Sequence, residues 1–134
     1  MAQGRPRFAR IGKGVRTFDP AKSRDGKASL AAAMAEALSE PGKLEFPTGC
    51  LEVVITAALP CPKGEFRVRT PRPTRWRDKR PDIENFAKLI LDAATGIWWT
   101  DDAQVARLVV NKLTVAQGSS PYTEVMARPL GDFS

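Results

Sequence analysis

The sequence predicts an α/β (α+β) fold, a single domain in which two helices pack on a mixed β-sheet. The β-branched run Leu51–Leu59 has the length of a buried strand, and the apolar residues between Pro81 and Ala94 recur at helical spacing. A chain of 134 residues buries about two-thirds of its unfolded surface in one core and is too short for two cores. One domain over residues 1–134 is therefore expected.

The N-terminal part of the chain predicts a hairpin followed by a helix. The hairpin strands are Arg7–Ile11 and Val15–Phe18, which flank a turn rich in glycine. The segment from Ala21 to Leu38 is rich in alanine, places apolar residues at helical spacing and is followed by a stop at Pro41 and Gly42. This segment is the first of the two predicted helices.

The middle of the chain predicts a central strand followed by a basic loop. Leu51–Leu59 is bounded by proline and glycine, as strands commonly are. Residues 60–80 contain four prolines and eight basic residues. Within them, Phe66–Thr70 is expected to pair with the central strand as a hairpin partner, and the rest is expected to be a mobile loop.

The second helix is the strongest prediction. Its apolar residues form one continuous stripe, composed of Ile83, Phe86, Ala87, Ile90, Leu91 and Ala94. Gly96 stands where a helix needs a residue in the left-handed conformation at its C-terminal end. A last strand pair, Gln104–Val115 and Tyr122–Ala127, is joined by a turn-forming segment.

Composition excludes several classes of chemistry. The chain has no histidine, so it has no serine–histidine triad, no histidine general base and no histidine metal ligand. Cys50 and Cys61 alone do not make a zinc site and are expected to be reduced, structural thiols. No apolar run approaches the ~20 residues that span a bilayer, and the N-terminus lacks a signal peptide. A cytoplasmic protein without a membrane partner is expected.

Positive charge is concentrated in two segments. Residues 1–27 and residues 63–80 each carry eight basic and two acidic residues, whereas the rest of the chain is acidic and the whole has a net charge of +6. Clustered Lys and Arg release the counterions that condense on nucleic acid, which favours a polyanionic partner. Two solvated loops are the alternative. Because both clusters accompany an acidic group, we prefer nucleic acid.

The acidic group follows the densest run of arginine and consists of Asp82, Glu84, Asp92, Asp101 and Asp102. On the predicted helix, Glu84, Lys88 and Asp92 are spaced by four residues and share one face. A structural interpretation is open, in which Asp82 caps the helix and Glu84 pairs with Lys88. For Asp92 alone that interpretation is preferred. It leaves Asp101 and Asp102 unexplained, because adjacent unpaired carboxylates repel.

A divalent cation accounts for these adjacent carboxylates. The short connection after the helix is able to return one of them to the helix start, beside Asp82 and Glu84. Hard oxygen ligands that leave room for water and phosphate are typical of a Mg²⁺ or Mn²⁺ site. Such ions activate water and stabilise the leaving oxygen of a phosphodiester, and Lys88 would offset charge on the phosphate.

Residues 80–105, RPDIENFAKLILDAATGIWWTDDAQV, resemble the signature of the RusA-like crossover junction endodeoxyribonucleases, which are Holliday junction resolvases. In that family a P-D-x-D-N-x-x-K helix is followed by D-D-x-Q-V, and both order and spacing agree. The opening GRPRF, with FDPAK after it, resembles the N-terminal region of phage-borne members. The similarity therefore covers most of the chain.

The resemblance implies a function and a ligand set. By position, Asp82, Glu84 and Asp102 would bind Mg²⁺. Lys88 would assist catalysis, and Asp101 is a secondary candidate ligand. The implied protein is a homodimer that nicks two strands of a four-way DNA junction symmetrically, in recombination and repair, and has an α/β fold with a mixed sheet. The position of Glu84 is usually Asp in the family. The side chain of Glu84 is longer by one methylene, so the geometry of the metal site would have to accommodate it.

Basic side chains are expected to contact DNA phosphates rather than bases. One set lies in the basic loop and consists of Arg67, Arg69, Arg72, Arg75, Arg77, Lys79 and Arg80, and the other lies near the N-terminus and consists of Arg5, Arg7 and Arg10.

Trp98 and Trp99 would face opposite sides of an extended segment, so at least one is expected in the core. Trp76 is the better candidate for stacking on a base, and a ring packed over its own loop is equally compatible with the sequence.

Two other functions remain compatible with the residues. A branched-DNA-binding protein without catalysis needs only the basic clusters. A ribonuclease is also compatible, because RNA and DNA present phosphates of the same kind to the metal ions. The sequence therefore predicts a metal-dependent nuclease first and leaves these two as alternatives.

Overall fold

The structure, a computed structural model, describes residues 7–11 through their backbone alone and residues 45–131 in full. Its regular elements are β1 (Arg7–Ile11), β2 (Leu51–Leu59), β3 (Arg75–Trp76), α1 (Ile83–Ala94), β4 (Val105–Thr114) and β5 (Tyr122–Pro129). Two short 3₁₀ turns lie at Lys63–Glu65 and Asp102–Gln104. The predicted strand Val15–Phe18 and the predicted helix from Ala21 to Leu38 fall outside the described residues.

Five strands form one mixed sheet in the order β1-β5-β2-β4-β3. The predicted central strand is confirmed, because β2 pairs in parallel with β4 on one side and antiparallel with β5 on the other. The expected strand pair at the end of the chain is wrong in its pairing: both strands exist, but β2 lies between them. The helical connection α1 lets β4 run parallel to β2, and the segment after β4 then crosses over the end of β2 to reach its other edge.

The core lies between α1 and one face of the sheet. Val53, Ile55 and Ala57 alternate along β2 and are buried, as expected for residues that point to the same side. The helix contributes Phe86 and Ile90 to the same cluster. Its amphipathic pattern is thereby confirmed.

Both tryptophans after the helix are core residues. Trp98 and Trp99 are each 0% exposed, so the prediction that at least one is buried is confirmed and neither ring is accessible to a base. Between helix and tryptophans, Gly96 has φ +85°, which confirms the predicted left-handed position. This turn allows the chain to fold back, and Gly96 N donates to Trp99 O at 2.6 Å.

Ile83 departs from the predicted buried stripe. It begins α1 and is 44% exposed, because the first turn of the helix extends beyond the packed part of the sheet and borders a cleft. The helix starts two residues after the predicted Pro81. No helix in the described part of the chain has the length and apolar character needed to cross a membrane.

The basic loop is ordered by contacts with the end of β4. The hairpin predicted for Phe66–Thr70 is wrong, because β4 and β5 already occupy both edges of β2. Gln117 fixes the loop instead: its Oε1 accepts from Arg67 N at 2.9 Å and from Arg72 N at 2.8 Å. Thr74 Oγ1 accepts from Ala116 N at 3.1 Å. These bonds place the segment that leads into α1.

Candidate active site

Two adjoining cavities lie where the first turns of α1 pass β4. The first, of about 540 Å³, is lined by Trp76, Arg77, Asp82, Ile83, Glu84, Val110, Asn111 and Lys112. The second, of about 470 Å³, is lined by Ile83, Glu84, Ala87, Lys88, Leu91, Asp92, Asp102, Leu108 and Val110. They share Ile83, Glu84 and Val110, so we treat them as one feature, the α1–β4 cleft.

The cleft contains four of the five carboxylates that the sequence singled out, namely Asp82, Glu84, Asp92 and Asp102. Asp82 lines the first cavity, Asp102 lines the second, and Glu84 lines both. All three residues are exposed. Lys88 lines the second cavity with Glu84 and Asp102, which places an ammonium group on the same wall. The fold therefore brings residues from the start of α1 and from the turn before β4 to one cleft.

The structural roles considered for Asp82 and Glu84 are not observed. Asp82 is the residue before the helix, yet its side chain makes no capping hydrogen bond. Within residues 45–131, the ion pairs do not include one between Glu84 and Lys88. The side chains of Asp82, Glu84 and Lys88 thus remain available to a ligand within the described part of the fold.

Asp101 and Asp102 have different roles in the structure. Asp101 and Gln104 form a capping box on the 3₁₀ turn, in which Gln104 Oε1 accepts from Asp101 N at 3.1 Å and the Asp101 side chain accepts from Gln104 N. Asp101 Oδ1 also accepts from Ala103 N at 2.9 Å. Gln104 Nε2 also donates to Phe46 O at 3.1 Å. Asp101 therefore holds the turn, and Asp102 is the member of the pair that lines the cleft.

The donor set suits a hard divalent cation, because it consists of exposed carboxylate oxygens beside open space for water. The carboxylates are not gathered into a finished site. Among the described residues, no three acidic or thiol side chains lie close enough together to hold a metal ion. Glu84 lines both cavities, whereas Asp82 and Asp102 each line one, so the three side chains would have to come closer together to share one ion.

Four of the seven loop cations that are predicted to contact DNA have partners within the chain. Glu65 Oε1 accepts from Arg75 Nη2 at 2.5 Å, and Glu65 Oε2 pairs with Lys79. Hydrogen bonds from Lys79 and Arg75 hold the pKa of Glu65 below its usual value, so Glu65 is ionised at neutral pH. Arg72 Nε donates to Glu65 O at 3.3 Å.

Arg77 is the fourth anchored side chain of the loop. Its Nε donates to Arg80 O at 2.9 Å and its Nη1 to Thr114 Oγ1 at 3.3 Å. Burial lowers the pKa of Arg77, because desolvation disfavours the charged form. Arg77 thus attaches the loop to the end of β4. These hydrogen bonds leave fewer of its donors for a phosphate.

The other three loop arginines are Arg67, Arg69 and Arg80. Their side chains have no partner within residues 45–131. All three are exposed. Arg5 lies outside the described residues, and Arg7 and Arg10 belong to β1, which is described by its backbone alone. Phosphate contact by any of the ten cations stays a prediction, and Arg67 and Arg69 offer the cleanest test of it.

Neutralising both Arg67 and Arg69 with glutamine is expected to lower affinity for junction and duplex DNA alike. The slope of log affinity against log salt should become shallower by about two units, since each phosphate contact contributes about 0.9. The matched control replaces both residues with lysine, which keeps the charge and the slope. An equal slope for the glutamine and lysine variants would mean that this part of the loop is only solvated.

Lys112 is a site residue that the sequence analysis missed. Its Nζ donates to Lys79 O at 2.6 Å and to Pro81 O at 2.8 Å, and it lines the first cavity. These hydrogen bonds hold residues 79–81 against β4, directly before Asp82. The available signal was the polar pair Asn111 and Lys112 directly after the apolar run Leu108–Val110 in β4. Asn111, beside Lys112, also lines the first cavity and was missed.

Known proteins resemble this chain over most of its length. The family model of endodeoxyribonuclease RusA matches residues 1–127. A relative from Bacillus subtilis (strain 168), named "Uncharacterized protein YqaN", is 32% identical over 138 residues, which covers 96% of this chain and 89% of the relative. The family match includes α1, the turn before β4 and both cavities of the cleft. The chain belongs to the RusA endodeoxyribonuclease family.

Proposed function

We propose that the protein is a Mg²⁺-dependent endonuclease that resolves four-way (Holliday) DNA junctions by paired symmetric nicks, in DNA recombination and repair. The observation that supports this function is the α1–β4 cleft, whose two adjoining cavities are lined by Asp82, Glu84, Asp102 and Lys88 and lie beside the basic loop. Family membership supports the substrate class. Mn²⁺ would serve the same oxygen ligands.

The roles of the cleft residues follow from their chemistry. Asp82, Glu84 and Asp102 would hold the cation, which when bound supplies an activated water and stabilises the leaving oxygen of a phosphodiester. Lys88 donates to a non-bridging phosphate oxygen and offsets the charge that develops there. The exposed arginines of the loop bind neighbouring phosphates and set the position of the strand in the cleft.

A comparison of substrates tests this function. Purified protein is incubated with a synthetic four-way junction, a matched duplex and a hairpin RNA, each with and without Mg²⁺. Nicks in the junction at symmetric positions, which appear only with Mg²⁺, are expected. Cleavage of the hairpin RNA in preference to the junction would identify a ribonuclease instead.

A non-catalytic branched-DNA-binding protein is the second candidate. The observation in its favour is that no three acidic side chains of the described residues are gathered closely enough to hold an ion. The same comparison separates the two functions. Tight binding of the junction without a nick in Mg²⁺ or Mn²⁺ would favour the binding protein.

The active species is expected to be a homodimer. Two coordinated nicks related by a two-fold axis match the symmetry of a junction better than one active site that acts twice. Light scattering at micromolar concentration should therefore give twice the 14.7 kDa mass of the chain. A monomer mass together with full activity would contradict this prediction.

A further inference from the structure

Trp76 is exposed to an unusual degree for so large an apolar side chain. The chain has three tryptophans. Trp98 and Trp99 are 0% exposed, whereas Trp76 is 75% exposed. A ring packed over its own loop would be largely covered, so that interpretation is excluded. Tryptophan is enriched at binding surfaces, because its ring buries a large apolar area on contact.

The backbone that carries this ring is fixed. Trp76 forms β3 with Arg75 and lies opposite Leu113 of β4. The next residue continues the attachment, since Arg77 N donates to Lys112 O at 3.1 Å. The ring is thus presented from a sheet edge rather than from a loose loop, and a ligand that meets it does not have to order the segment.

The position of the ring relates it to the cleft. Trp76 lines the same cavity as Asp82 and Glu84, and the partly buried Arg77 stands beside it. An aromatic face beside cations and a phosphate-binding cleft is the arrangement by which proteins hold a nucleotide whose base is unstacked. In a continuous duplex each base is already stacked and paired, so its face is not available. At a branch point the stack is interrupted.

We propose that Trp76 stacks on an unstacked nucleobase next to the cleft and so determines the preference for branched over fully paired DNA. This inference rests on the proposed function, since it assumes that a DNA strand enters the cleft. The base itself is not read, because every base offers an aromatic face. The loop cations bind the adjoining phosphates in either kind of DNA, whereas the ring responds only to an interrupted stack.

Fluorescence of the wild-type protein tests the contact without any cleavage. Because the other two tryptophans are buried, quenching by acrylamide reports chiefly on Trp76. In EDTA, saturation with a four-way junction or with an oligothymidine strand is expected to shield Trp76 from acrylamide, and a matched duplex is expected to shield it much less. Unchanged quenching at saturation with the junction would overturn the proposal.

Affinities of substituted proteins give a second readout. Trp76→Leu keeps an apolar side chain without a ring and is expected to weaken junction binding about tenfold while duplex binding changes less than twofold. Trp76→Phe should retain most of the junction affinity. Val68→Ala is the matched control, because Val68 is 98% exposed in the same loop and has no ring. It should bind both DNAs as the wild type does.

The outcomes separate this inference from the proposed function. Equal losses on junction and duplex, or a loss in Trp76→Phe as large as in Trp76→Leu, would overturn stacking and leave the nuclease assignment intact. A selective loss of junction affinity in a protein that never cleaves DNA would support stacking and contradict the nuclease assignment. All of these affinities are measured in EDTA, so they do not depend on catalysis.

Discussion

Replacement of Asp82 or Asp102 by asparagine is expected to abolish cleavage, with a loss of at least about a hundredfold in rate, while binding to a four-way junction survives. The amide has no charge with which to hold a cation. Loss of a carboxylate also reduces repulsion of phosphate, so binding should be equal to the wild type or tighter. Single-turnover cleavage rates in Mg²⁺ and affinities in EDTA measure the two effects separately.

Asp101→Asn is the matched control for Asp102→Asn. Asp101 caps the 3₁₀ turn through Ala103 N, and asparagine caps about as well as aspartate, so most activity should remain. Loss of junction binding in both Asp82→Asn and Asp102→Asn, with folding intact, would point to a structural role. Equal losses in the Asp101 and Asp102 variants would show that the charge of the turn matters rather than one ligand.

Glu84→Gln is expected to cost far more activity than Glu84→Asp. Glutamine removes the charge and should lower the cleavage rate by about a hundredfold or more, whereas aspartate keeps it and moves it by about one carbon–carbon bond. Glu84 lines both cavities of the cleft and has no ion pair with Lys88 among the described residues, which favours a ligand role over a surface pair. Cleavage rates at saturating Mg²⁺ compare the two variants.

The opposite result has a clear meaning. An exposed helical pair with Lys88 would contribute only about 0.2–0.5 kcal/mol to stability, so both variants would cleave at nearly the wild-type rate. Equal, near wild-type rates would remove Glu84 from the site. Asp82, Asp92 and Asp102 would then be the remaining carboxylates that line the cleft, and water or phosphate would have to supply the other ligands.

Elements with strong local periodicity were predictable from the sequence. The β-branched run of β2 and the helical stripe of α1 each indicate burial directly, and Gly96 marks a backbone conformation that other residues avoid. Strand order was not predictable in the same way. The segment between β4 and β5 is compatible with a hairpin or with a crossing over β2, and only the competition of all strands for the edges of β2 decides between them.

The candidate site was predictable as a set of residues but not as an arrangement. Spacing on α1 identified Glu84 and Lys88, because a helix fixes which side chains share a face. The different roles of Asp101 and Asp102 depend on the path of one turn. The pairing of Glu65 with Arg75 and Lys79 likewise depends on how the loop folds back, which no periodic pattern encodes.

Cleavage of a four-way junction by metal-free wild-type protein, followed as Mg²⁺ is added from zero, is the most direct measurement. No nicks are expected in EDTA, and paired nicks at symmetric positions in opposing strands are expected to appear with rising Mg²⁺ and to be supported by Mn²⁺. Nicks at the same rate in EDTA, or a bound junction that stays intact at every Mg²⁺ and Mn²⁺ concentration, would contradict a nuclease whose cleft carboxylates hold a divalent cation.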